Sequence, residues 1–433
     1  MAAIYLAGAR TRLLPASIPF RFFGAAAVFH VVAWAAAIAG ADVLPRYAGG
    51  LGWPLAALHA ITLGVLAMTA IGASLQLLPV ATRQPMVHAG TGAAIFWCYV
   101  PGVAAVVAGM GWPSPPLLAA GAAAVAVALA GFVFVLARNL AAARGMALVA
   151  AHGAVAAFAL VLALASALAV VGLWAWGLPV DRKALVALHV ATAGYGFMGM
   201  LALGLSYVLV PMFALAEAPA AYRGWASFTL ATIALALAVA AAVGVVPAVL
   251  GTAAAGTGAL AAILHVQLMR ETLAAGLRRE LGTGFRLVRL AWAALLASLA
   301  LALGLALEVP WDGLATMFGA ALFAGWLLSF VLGILQRIVP FLAAMHAGRG
   351  TGRPPTPSAL TAAAPLLAHF RCHAAALALL AGAIVVDSAA MAAAAGAVGL
   401  VGAVAFATFF AIAMRRMAAP RLDARAADDK MVS

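Results

Sequence analysis

The sequence predicts an all-α membrane protein, a polytopic bundle of about 12 transmembrane helices in three pseudo-repeats of four. Its 433 residues are 67% hydrophobic and only 8% charged, and the mean hydropathy is +1.16. Apolar runs long enough to cross a hydrocarbon layer of roughly 30 Å as helices recur along the whole chain. A motif of two glycines and a proline occurs three times at nearly even spacing. These three observations together define the fold class.

The apolar runs divide the chain into 12 spans joined by short loops. They are predicted at 18–40, 54–80, 89–110, 115–138, 145–172, 183–212, 225–244, 246–269, 286–308, 312–345, 364–387 and 389–414. The spans that begin at 54, 183 and 312 are longer than a bilayer requires, so they tilt or end outside the lipid. We therefore expect one integral membrane domain over 1–433, with pseudo-repeats at about 18–138, 145–270 and 286–414 and a short polar tail at 415–433.

The repeated motif is Gly, seven residues, Gly, six residues, Pro, and it lies in the second span of each unit. Its copies are Gly64–Gly72–Pro79, Gly196–Gly204–Pro211 and Gly325–Gly333–Pro340, with the prolines 132 and then 129 residues apart. Two glycines eight residues apart lie near one face of a helix and allow a neighbouring backbone to approach. The proline is expected to end or kink the helix at its cytoplasmic end.

Basic residues orient the bundle. With the N-terminus inside, 21 of the 24 Lys and Arg fall on the cytoplasmic side, and only Arg46, Arg182 and Lys183 lie outside. This distribution follows the positive-inside rule and predicts that both termini are cytoplasmic. It also explains the formal charge of +13. No basic patch is interleaved with aromatic residues, so a nucleic-acid partner is not expected.

Two histidines have matched settings in the first two copies. The segments "LHAITLGVLAM" (58–68) and "LHVATAGYGFM" (188–198) place His59 and His189 near the outer end of their helices, followed nine residues later by Met68 and Met198. Imidazole is a common axial ligand of haem, and the methionines either contact or ligate a porphyrin or simply fill the core. When the two copies are aligned at His59 and His189, the second copy has two extra residues before its proline. The alignment at the histidines and the alignment at the glycines and proline therefore both hold only if the helix contains a local bulge.

Other histidines lie within spans, where ionisable residues are costly and often functional. His30 is a further candidate for cofactor binding, with a structural hydrogen bond as the alternative. His369 and His373 in "HFRCH" are four residues apart and share a helix face, a spacing that can chelate a metal. Arg371 between them instead suggests an interfacial turn.

Acidic residues are missing from the interiors of the spans. Cation-coupled and proton-coupled transporters usually keep buried carboxylates on the ion path. Their absence argues against that class of transporter and against proton pumping.

Twelve helices in three groups of four, with a histidine near the outer end of spans two and six, resemble subunit I of the haem-copper oxidases. The segments "LHxxTxG…LQLLPV" and "LHVATAG…YVLVPM" also resemble oxidase-subunit-I-like membrane proteins and the NnrS family, which are haem and copper proteins linked to nitric oxide stress. The resemblance implies that His59 corresponds to a haem ligand and His189 to a metal ligand. It also implies haem b, with copper as a further option, and a cytochrome or respiratory-complex partner.

The sequence departs from the oxidase pattern in two spans. Span seven lacks the His pair that the oxidases carry, and span ten has no His at all. The resemblance therefore does not extend to an oxygen-reducing haem-copper centre.

The leading hypothesis is a haem-binding protein of the bacterial inner membrane with a reduced ligand set. It would act in electron transfer, in the handling of nitric oxide or another small gas, or in respiratory assembly. One alternative is a cofactor-free transporter or channel for a small solute. Another is an assembly subunit that keeps the fold without the chemistry.

Overall fold

The computed structural model describes residues 14–84, 89–278, 280–347 and 355–432. In this part of the chain, 12 helices are long and apolar enough to cross a membrane, which confirms the predicted all-α polytopic bundle. They are α1 (Ser17–Ala39), α2 (Trp53–Thr82), α3 (Ala89–Gly111), α4 (Pro115–Ala141), α5 (Ala147–Trp176), α6 (Arg182–Ala214), α7 (Ala221–Ala242), α8 (Pro247–Ala275), α9 (Gly282–Ala306), α10 (Leu314–Ala347), α11 (Ala363–Val386) and α12 (Ala389–Val432). The last helix continues well past its predicted end at 414.

The packing repeats every four helices. The third and fourth helices of each unit pair closely, as α3 with α4, α7 with α8 and α11 with α12. The fourth helix then packs on the first helix of the next unit, and α12 packs on α1, so the outer helices form a closed ring. The second helices, α2, α6 and α10, are the most buried spans, at 67%, 78% and 78%. They therefore form the centre of the bundle.

Each central helix contains a stretch of π-helix near its first third. These stretches are Ala60–Ala67, Ala191–Gly199 and Ala320–Leu328. In every copy the α-helix resumes 11 residues before the motif proline, at Met68, Met200 and Ser329. A bulge is thus present in all three copies, with lengths of 8, 9 and 9 residues, so it accounts for only one of the two extra residues between His189 and its proline. The glycine–proline register is the one that the backbone follows.

The motif glycines bring each central helix against the first helix of its own unit. A Cβ atom at Gly72, Gly204 or Gly333 would lie very close to α1, α5 or α9. The atoms that it would meet are Cβ of Phe22, Cβ of His152 and the carbonyl oxygen of Gly284, at 2.8, 2.6 and 2.5 Å. Because small residues let helix backbones approach in a membrane, these glycines are packing residues.

The motif prolines lie inside their helices and do not end them. α2 and α6 continue for three residues past Pro79 and Pro211, and α10 continues for seven past Pro340. α2 and α6 then end on residues with left-handed backbone, Arg83 (φ 57°) and Leu215 (φ 54°). Of the two expectations for the proline, that it ends the helix is therefore wrong, by about one turn in α2 and α6 and by two turns in α10, and that it kinks the helix stays a prediction.

Candidate functional site

His59 and His189 come together at the predicted outer face. His59 ends the first α-helical turns of α2, directly before its π-helical stretch, and His189 lies two residues before the stretch in α6. Their ring centres are 6.4 Å apart and the ring planes are inclined by only 10°. The two central helices thus present a pair of nearly parallel imidazoles.

The same nitrogen of each ring is hydrogen-bonded to a backbone carbonyl. Nδ1 of His59 lies 3.0 Å from the carbonyl oxygen of Leu55, and Nδ1 of His189 lies 3.0 Å from that of Ala163. Because a carbonyl only accepts, each Nδ1 carries the proton and donates. In the neutral rings the Nε2 atoms then keep their lone pairs, which makes both histidines available as ligands.

Both histidines line a cavity of about 1440 Å³ that lies between the helices of all three units. Small residues of α7, α8 and α9, including Ala238, Gly251 and Ala302, form part of its wall. Pockets for small molecules and cofactors usually enclose roughly 300–1000 Å³, so this cavity has room for a large planar ligand.

Cations and a half-buried tyrosine lie at the rim of the cavity. Arg182 and Lys183 line it beside Tyr47. The Tyr47 hydroxyl donates to the Gly50 carbonyl oxygen at 2.5 Å. Burial raises the pKa of Tyr47 to about 12, although Arg182 opposes the shift. The phenol therefore stays protonated at neutral pH and remains a donor.

The third unit contributes no histidine to the cavity. Counted back from the motif proline, Phe318 holds the position of His189 and Ala320 that of His59, and both line the cavity. Tyr195, which sequence reasoning missed, also lines it, and its hydroxyl is 2.9 Å from Oγ of Ser298. No spacing signal in the sequence marks this tyrosine.

The predicted methionines are buried in the core. Met68 is fully buried and Met198 is 6% exposed, and both belong to the main hydrophobic cluster. Neither lines the cavity, whereas Met110 and Met200 do. This arrangement favours the core-filling alternative for Met68 and Met198.

His30, His369 and His373 come together in the interior and do not line the cavity, although Trp34, which is hydrogen-bonded to His30, does. Each is at most 1% exposed. The ring centres of His30 and His369 are 5.7 Å apart, and those of His369 and His373 are 5.6 Å apart. Residue 371 lies in the continuous helix α11, near the start of that span. Among the described residues, no set of three or more His, Cys, Asp or Glu side chains has the ready arrangement of a metal site.

The fold is similar to that of a known oxidase. A cryo-EM structure of a haem-copper terminal oxidase dimer superposes on this chain with a TM-score of 0.63 and 12% sequence identity. The match covers 94% of this chain and 84% of the oxidase chain. No protein-family model and no curated protein matches the sequence. The chain is thus a membrane protein with the fold of oxidase subunit I, as the sequence predicted.

Proposed function

We propose that this chain is a haem-binding membrane protein in which His59 and His189 ligate one haem iron from opposite sides. The observation that carries the proposal is the parallel pair of imidazoles at the cavity, with ring centres 6.4 Å apart. Two imidazoles on opposite sides of one metal have centres roughly 6 Å apart, because each metal–nitrogen bond is about 2 Å long and each ring adds about 1 Å. The observed separation fits this geometry.

The residues around the pair support the same ligand. The carbonyl oxygens of Leu55 and Ala163 accept hydrogen bonds from Nδ1 of the two histidines. Such partners fix the orientation of a ligating imidazole and raise its basicity. The mostly apolar cavity is large enough for a porphyrin. Arg182 and Lys183 at its rim are suitable partners for the carboxylates of haem b.

Electron transfer is the role that this ligand set favours. His59 and His189 would hold the haem, which would supply one-electron redox chemistry at the cavity. The handling of a gas such as nitric oxide is the second candidate, because it would need a position at the haem that neither histidine fills. We place the protein in the bacterial inner membrane, with the cavity facing outward towards a cytochrome or respiratory-complex partner.

An absorption spectrum of the full chain, purified after haem-replete expression, tests the proposal. We expect a Soret band and a low-spin, six-coordinate signature by electron paramagnetic resonance. His59→Ala and His189→Ala should each remove the low-spin signal. His152→Ala is the matched control, because His152 is buried and its Nδ1 is bonded to a carbonyl in the same way, 2.8 Å from Leu148.

Colourless protein would overturn the proposal. Solute flux in liposomes without haem would favour the cofactor-free transporter. Co-purification with oxidase subunits in the absence of haem would favour an assembly subunit.

A further inference from the structure

His30, His369 and His373, which we call the closed histidine cluster, contain three ring nitrogens without a partner in the described part of the chain. Nδ1 of His30, Nε2 of His369 and Nδ1 of His373 are all buried, with no hydrogen-bond partner among the described residues. Buried polar atoms of this kind usually have a partner, so three of them in one cluster indicate a bound species.

Hydrogen bonds define the tautomer of His369 and limit the tautomer of His373. His369 donates from Nδ1 to the carbonyl oxygen of Gly402 at 3.0 Å, so in the neutral ring its Nε2 carries a lone pair. Nε2 of His373 is 2.8 Å from Oγ of Ser329, which also lies 3.3 Å from the carbonyl oxygen of Ala324. When the serine donates to that carbonyl, His373 donates from Nε2 and keeps a lone pair on Nδ1. The pair on α11 then offers two ligand nitrogens.

His30 is held in the other tautomer. The indole nitrogen of Trp34 is 3.1 Å from Nε2 of His30, and an indole N–H only donates. Nε2 of His30 therefore accepts, and the proton of the neutral ring is on Nδ1. His30 becomes a third ligand only when its ring turns and releases Trp34.

We propose that His369 and His373, with His30 as the third and weakest ligand, bind one copper(I) ion inside the bundle. Imidazole nitrogen is a suitable donor for copper. Three imidazoles around one metal have ring centres roughly 5 Å apart, given a metal–nitrogen bond of about 2 Å. The observed spacings of 5.6 and 5.7 Å are close to this, so the site is complete once the His30 ring has turned and released Trp34.

The charge of the surroundings favours a monovalent ion. The three histidines are neutral ligands, and the side chains packed around them include Phe406, whose ring centre lies 5.2 Å from that of His369. The cost of burying an ion rises with the square of its charge, so a singly charged ion costs far less here than zinc(II). This inference is independent of the proposed haem site, because the cluster and the cavity pair share no histidine.

Copper(I) titration of the full purified chain tests the site. The chain is stripped with a chelator, and copper(I) is added under reducing, oxygen-free conditions in competition with a coloured copper(I) chelator. We expect one ion per chain and nitrogen ligation by X-ray absorption. His369→Gln or His373→Gln should weaken binding at least 100-fold, and His30→Gln about tenfold.

Two control variants isolate the cluster. Cys372→Ser removes the thiol between the two ligands on α11, and His152→Gln changes a buried histidine elsewhere. Both should bind copper like the wild type. The elution volume in size-exclusion chromatography and the thermal unfolding temperature show whether each variant is folded.

Three results would overturn the proposal. They are no copper bound by the wild type, equal binding by the folded His369→Gln and His373→Gln variants, and preferential binding of zinc. The haem spectrum is recorded on the same samples, so failure of the copper site is distinguishable from failure of the haem site.

Discussion

The two histidine groups use the same side chain in opposite surroundings. His59 and His189 are parallel and face a large cavity, whereas His30, His369 and His373 meet edge-to-face or tilted in a closed interior. A backbone carbonyl holds Nδ1 of His59, His189 and His369, whereas Trp34 and Ser329 hold Nε2 of the other two histidines. The difference teaches that the surrounding space, more than the histidines themselves, separates the two proposals: a planar cofactor at the cavity and a single ion in the closed histidine cluster.

Crossed ligand measurements should give the largest effects. His59→Ala should abolish the low-spin haem signal and leave copper(I) binding unchanged, because its ring is not part of the closed cluster. His369→Ala should abolish copper(I) binding and leave the low-spin haem signal unchanged. Haem and copper are quantified on the same preparations of both variants. Loss of both ligands in either folded variant would break the comparison, because the two groups would then form one site.

Exchange of an axial ligand should retain haem and change its potential. His189→Met replaces one imidazole by a thioether, and Met/His ligation raises the reduction potential relative to two histidines. We expect the reduction potential of the haem to rise by a fraction of the roughly 0.8 V range that axial ligands set. Spectroelectrochemical titration measures it. An unchanged potential in a haem-loaded variant would show that His189 is not a ligand.

Two glycine substitutions compare the packing beside Trp34, the partner of His30, with the packing at the wall of the cavity. A Cβ at Gly399 would clash with the indole ring of Trp34, whereas one at Gly319, which lines the cavity, would meet nothing within 4 Å. Gly399→Ala should therefore destabilise the chain by about 1–3 kcal/mol through overpacking. Gly319→Ala should be neutral, or stabilising by up to about 1 kcal/mol, because alanine favours the helix. Thermal unfolding in detergent compares them, and equal losses would contradict the distinction.

The smallest effect is expected at an exposed ion pair. Arg46, in the loop after α1, pairs with Asp387 at the end of α11. Their side chains are 78% and 37% exposed, and such surface pairs contribute about 0–1 kcal/mol. Asp387→Asn should therefore change the stability by less than about 1 kcal/mol and leave both ligand sites intact. A larger loss of stability would mean that the contact between Arg46 and Asp387 holds the loop after α1 against the end of α11.

The fold was largely predictable because its signals are local. Span length and hydropathy depend on neighbouring residues, and the Gly72, Gly204 and Gly333 positions recur at a fixed distance from a proline. The matched depth of His59 and His189 followed from the same repeat. Their parallel orientation did not, because it depends on how α2 and α6 meet across the centre.

The sequence predicted the pair of histidines on α11 but not that His30 lies beside it. His369 and His373 were visible as a pair on one helix face. His30 lies 339 residues before His369 in the sequence, and the two meet only because α12 and α1 close the ring. The partners Ser329 and Gly402 come from two further helices, and neither carries a sequence signal for this role.

The π-helical stretches have a consequence for mutation by insertion or deletion. An α-helix turns by about 100° per residue. If the residues of 60–67 were all kept but wound as α-helix, everything before the stretch, including His59, would rotate by about that angle relative to the glycines, and His59 would point away from His189. Removal of one residue would instead let the stretch relax to α-helix with the direction of His59 largely kept, because the wide turn holds about one extra residue. The three wide turns therefore set the angular phase of the central helices.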